Sequence, residues 1–132
     1  MQFLNENALK DLIRRLSNSN DSDDHEDLDI VKGAMESFHG YVHIVVKGET
    51  KFLFQADSLE GQEYRDVVSQ YDSDRHNAHE KAIGDVILIN RLASQKGLPP
   101  VFTGDSTQRH QVADFCLELD RYLFQNRRMK LS

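Results

Sequence analysis

Apolar residues recur at intervals of three and four along most of this chain, and the longest such run marks the predicted centre of the fold. Between Asp74 and Gly97, the residues Ala78, Ala82, Ile83, Val86, Ile87, Ile89, Leu92 and Ala93 keep helical spacing, and Leu88 fills part of the opposite side. A helix that is apolar almost all round belongs in the middle of a bundle. Gly97, with Pro99 just beyond, supplies its stop.

The same period appears on either side of this stretch. Phe3, Leu4, Leu9, Leu12, Ile13 and Leu16 form one stripe over residues 2–16, with Asn5 or Asn7 able to cap the start. Leu28, Ile30, Val31, Ala34, Met35 and Phe38 form a second stripe over 27–38, closed by Gly40. The segment between them, 17–27, is polar and acidic with no apolar anchor, and reads as a mobile connection or the exposed start of the second helix. A calcium loop there fails, because the glycine and closing glutamate it needs do not fall in register.

The period then changes. YVHIVVK and TKFLFQ are β-branched or aromatic runs around Gly48-Glu49, which predicts a β-hairpin over about 41–55. A lone hairpin is marginal in water, so it must lie on the helices or pair its edge with a second copy. A third helix is expected over 58–71, with a break at 72–74 before the central one. After Pro99 and Pro100, Asp105 opens the last helix with Gln108 in the capping-box place. Val112, Ala113, Phe115, Cys116, Leu119, Tyr122 and Leu123 make its buried stripe. The expected fold is mainly α: a single domain, 1–132, of four or five helices around the central one, carrying one hairpin.

Composition narrows the function classes. The 132 residues carry 16 Lys and Arg against 22 Asp and Glu. Six of those acids, from Asp21 to Asp29, lie together, so the remainder is balanced. Without a basic face, tight binding to nucleic acid is not expected. No apolar run reaches the roughly 18 residues of a membrane span, and no secretory leader is visible, which points to a cytosolic protein. The single cysteine, Cys116, excludes an internal disulfide and reads as a packed thiol.

Two polar clusters are candidate sites. His76, His79 and Glu80, with Asp72 and Asp74 upstream, put two imidazoles about one helical turn apart and offer a divalent-metal site or a general base. A short loop between the central and last helices predicts that they run antiparallel, which sets this cluster near Arg121, Asn126 and Arg127 and sets Asn90 and Arg91 near Asp105, Arg109 and His110. Asn90 is expected to bond the backbone of the 99–104 loop, and Arg91 to pair with Asp105. Arg91 and Arg109 together form a candidate anion site.

The strings AHEKAIGDVILINRLA, GLPPVFTGD and RHQVADFCLEL resemble a small bacterial family of uncharacterised domains. The resemblance implies a bacterial cytosolic protein and assigns no site residue. Lacking a catalytic signature, the chain reads first as a non-enzymatic interaction or regulatory module without a cofactor. The alternative is a small metal-assisted hydrolase or nuclease using His76 and His79. A homodimer is expected from the hairpin edge and the amphipathic first helix, alongside a possible protein partner.

Overall fold

The computed structural model describes residues 3–104 and 109–131, the latter with side chains over 111–123. Its elements are α1 (Glu6–Asn18), α2 (Ser22–Tyr41), a π-helical stretch (Val42–Lys47), α3 (Gly48–Asp57), α4 (Gly61–Gln95) and α5 (Arg109–Leu131). The helical bundle is as expected. Its axis is shared, because α1 and α5 pack on both α2 and α4 while α2 and α4 pack on each other.

α1 starts where Asn5 accepts a hydrogen bond from the Ala8 amide at 3.1 Å, and its stripe of Leu9, Leu12 and Leu16 is wholly buried. Its amphipathic face is therefore used inside the fold. α2 begins earlier than its apolar stripe suggests. Asp21 caps it by accepting from the Asp23 amide at 2.9 Å, and Asp23 and Asp24 occupy the first turn, where carboxylates complement the helix dipole. Much of the acidic 17–27 segment is thus helix, and Asp24 is tied to Lys96, beyond the end of α4, at 2.7 Å.

The hairpin expected over 41–55 is not formed. Gly48 has φ −69° and ψ −23°, right-handed helical values rather than the positive φ that a tight hairpin turn demands. With no sheet to join, two strands leave their outer backbone groups unpaired, whereas a helix satisfies its own. The β-branched run VHIVVK is accommodated by widening the helix into π geometry. A Cβ at position 48 would stand 3.0 Å from the His43 carbonyl oxygen, so glycine suits this wide turn.

The break expected at 72–74 is also absent, and α4 runs unbroken for 35 residues, about 52 Å. The polar residues around the expected break pair along the continuous helix: Gln70 donates to Asp74 at 2.9 Å, and Arg75 pairs with Asp72 at 3.5 Å. Ser58 closes α3 by donating to the Gln55 carbonyl at 2.9 Å instead of opening a helix. At the other end of α4, Gly97 takes φ 71° and the Leu98 amide reaches the Ala93 carbonyl at 2.9 Å, the predicted stop.

The core joins all the packed helices to two extended segments. Leu4 and Phe102 form an isolated antiparallel bridge, and both Phe3 and Leu4 donate backbone N–H groups to the Glu118 carboxylate. Phe102 lies between Phe38 and Phe115, with ring centroids 5.5 and 5.7 Å away. Val112, Phe115, Cys116 and Leu119 bury the inner face of α5 as expected. The α4–α5 register differs from the expected one. Ala113, near the start of α5, lines the same cleft as Arg75 and His79, where the expected register set Arg121, Asn126 and Arg127 beside the histidines. No helix among the described residues is long and apolar enough to cross a membrane.

Candidate functional site

Three polar arrangements and one apolar surface stand out. The first is the cleft of about 270 Å³ between the π stretch, α4 and α5. His79 points inward, 6% exposed, and the Tyr41 hydroxyl lies 3.0 Å from its Nδ1. The two rings meet edge to face at 5.0 Å. Glu49, Tyr71 and Arg75 line the outer part of the cleft. Burial pushes the Tyr71 phenol up, the Glu49 charge adds to the effect, and Arg75 opposes it. The phenol stays protonated and donates to the Val45 carbonyl at 3.3 Å.

The structure separates the three residues expected to hold a metal. His79 is buried against Tyr41, while His76 and Glu80 are exposed. Among the described residues, no three His, Cys, Asp or Glu side chains converge as metal ligands. The apolar pattern of α4, with Ala82, Val86 and Ile89 buried, directs position 79, not 76, into the bundle.

The second arrangement involves residues that the sequence reading did not single out. His39, on the last turn of α2, has its Nδ1 2.5 Å from an Asp120 carboxylate oxygen, and its Nε2 lies 2.9 Å from Nε2 of His43. The His-x-x-x-His spacing was visible in the sequence. It carried no weight there because position 43 was assigned to a strand, where a residue four places away lies a strand's length off rather than one helical turn.

The third arrangement is the corner after α4. Asn90 accepts from the Val101 and Phe102 amides, each at 2.9 Å, and donates to the Phe102 carbonyl at 3.0 Å. This is the expected pinning of the 99–104 loop. Arg91 is exposed. Asp105, Gln108 and the side chains of Arg109, His110, Asn126 and Arg127 lie outside the described residues, and with them the proposed anion pair and capping box.

The apolar surface lies on an arm made of the π stretch, α3 and the first half of α4. Leu53 is 58% and Phe54 85% exposed, and Ile44 and Tyr64 are also exposed. α3 buries none of its residues. Inside the arm, Phe52 stacks on Tyr71 at 4.3 Å and 6°.

A match to a described protein family extends over residues 3–129, from the first core phenylalanine to the last turns of α5. The chain belongs to the DUF3232 family of proteins of unknown function. No match is found among curated proteins or among solved structures. The DUF3232 match includes the cleft, the His39–Asp120 pair, the Asn90 corner and the arm, and so spans far more than the three strings that suggested an uncharacterised family.

Within this DUF3232 chain the other buried ionisable groups are poorly placed for nucleophilic chemistry. Burial, then the nearby Asp85 charge, drives the Cys116 thiol far above its ordinary range. Burial likewise raises the Asp85 carboxyl, whose Oδ2 has no hydrogen-bond partner and lies 3.7 Å from the Lys81 ammonium.

Proposed function

We propose that this chain is a non-enzymatic interaction module that pairs with a second copy of itself through the arm. The observation that carries this reading is the unburied face of α3, with Leu53 and Phe54 in solvent. Covering one such side chain is worth roughly 1.5–3 kcal/mol, so a partner surface over both gains several times thermal energy before ordering costs. The arm also carries charges of both signs, including Lys47, Glu49, Lys51, Asp57, Glu63 and Arg65. Mixed signs suit a twofold contact in which the same patch meets itself.

The first helix has no part in this contact, since its apolar stripe is internal. A cytosolic location in a bacterial cell belongs to the same proposal, supported by a single buried cysteine that needs no oxidising compartment. Sedimentation velocity at micromolar concentration tests the pairing. The parent protein is expected to sediment as a dimer and Phe54→Asp as a folded monomer. A monomeric parent, or a dimer that Phe54→Asp leaves intact, overturns the proposal.

A further inference from the structure

We propose that His39 and His43 form a two-histidine chelate for a divalent transition-metal ion, with Asp120 orienting the His39 ring from behind. The two imidazoles stand four residues apart where α2 passes into the π stretch, which puts them on one side of a single turn. Asp120, from α5, accepts from His39 Nδ1 at 2.5 Å. A neutral imidazole fixed in that tautomer keeps the Nε2 lone pair for a metal, the usual role of a carboxylate behind a ligating histidine.

The spacing of the two Nε2 atoms fits the ligand role. Imidazole nitrogens bound to one ion at about 2.05 Å, with about 90° between the bonds, stand about 2.9 Å apart. The two Nε2 atoms are 2.9 Å apart. That angle belongs to octahedral or tetragonal coordination and favours nickel or copper, whereas tetrahedral zinc requires the pair to open by about 0.4 Å. His43 is exposed and His39 has 42% of its side chain accessible, so an ion reaches both from solvent. Among the described residues no third ligating side chain joins them, and water or an external donor completes the shell.

A plain hydrogen bond between two imidazoles is the competing account of the contact, and metal titration separates the two. The full chain, free of any polyhistidine tag and stripped with chelator, is titrated calorimetrically with nickel chloride and zinc chloride. One nickel ion per chain is expected. His43→Ala, an exposed substitution whose fold is checked by circular dichroism, is expected to abolish binding, while His76→Ala leaves it intact. Asp120→Asn is expected to weaken it about tenfold to a hundredfold, the size of effect seen when such an orienting partner is removed. A parent that binds no nickel at millimolar concentration, or binding undiminished in His43→Ala, overturns the proposal. Unchanged affinity in Asp120→Asn overturns the orienting role of the carboxylate.

Discussion

α5 and α3 are both helices of mixed apolar and charged residues, yet α5 buries Val112, Phe115, Cys116 and Leu119 whereas α3 buries nothing. The body of the molecule, made of α1, α2, the second half of α4 and α5, obtains its helical stability from packing of apolar faces. Within the arm the π stretch still adds Val42 to the core, whereas α3 draws on backbone hydrogen bonds and a few contacts such as the Phe52–Tyr71 stack. A ten-residue helix is too short to persist on propensity alone. The same local pattern thus carries a different energetic meaning according to whether a second surface covers it.

The largest effect that tests this contrast is a pair of phenylalanine truncations. Phe38 is fully buried, so Phe38→Ala is expected to cost about 3–5 kcal/mol in chemical denaturation. Phe54→Ala, in the arm, is expected to change the stability of the separated chain by under about 0.5 kcal/mol. Similar costs at both positions would erase the distinction between body and arm.

Next in size is the corner that holds the body's loop. Asn90→Ala removes one donor and leaves the Val101 and Phe102 amides without their acceptor, at an expected cost of about 2 kcal/mol. This residue also shows what was legible in the sequence. An asparagine on an apolar helix, followed by a proline-rich loop, has few other partners, and that reasoning located the bonds correctly. Gly97 and the stripes of α1 and α5 were equally readable, because each depends on a local rule that packing then reinforces.

The arm was not legible for a physical reason. VHIVVK is a short, mostly apolar β-branched run, and period alone does not tell such a strand from a helix that is buried at two successive positions, as here at Tyr41 and Val42. Asp72 and Ser73 fit a helix cap, yet they serve equally on an exposed face when the chain runs on. Those two local ambiguities hid the π stretch, the unbroken α4 and, with them, the His39–His43 pair.

Two carboxylates give smaller effects, of opposite sign with pH. The Asp85 pKa is raised by burial in the folded state, so folding is favoured when the group is protonated and loses that advantage as pH rises through the interval between its ordinary and folded values. Asp85→Asn is therefore expected to stabilise the body by about 1 kcal/mol at neutral pH, after allowance for screening by solvent, with the gain vanishing in acid. Asp24 behaves in the reverse way. Its hydrogen bond to Lys96, then one to Ser19, holds it below the usual carboxylate range, so its contribution is present above that range and is lost as pH falls through the folded value. Asp24→Asn is expected to flatten the acid limb of stability against pH slightly, and less so in high salt. Thermal melts of both variants across pH check the two signs.

Amide hydrogen exchange at low and high protein concentration tests the contrast between body and arm most directly. Amides of α3 and of residues 61–75 are expected to gain protection as concentration rises, and to lose that gain in Phe54→Asp, while those of α1 and the second half of α4 remain unchanged. Arm amides that are as protected as the body at high dilution, or that ignore concentration altogether, would contradict the account.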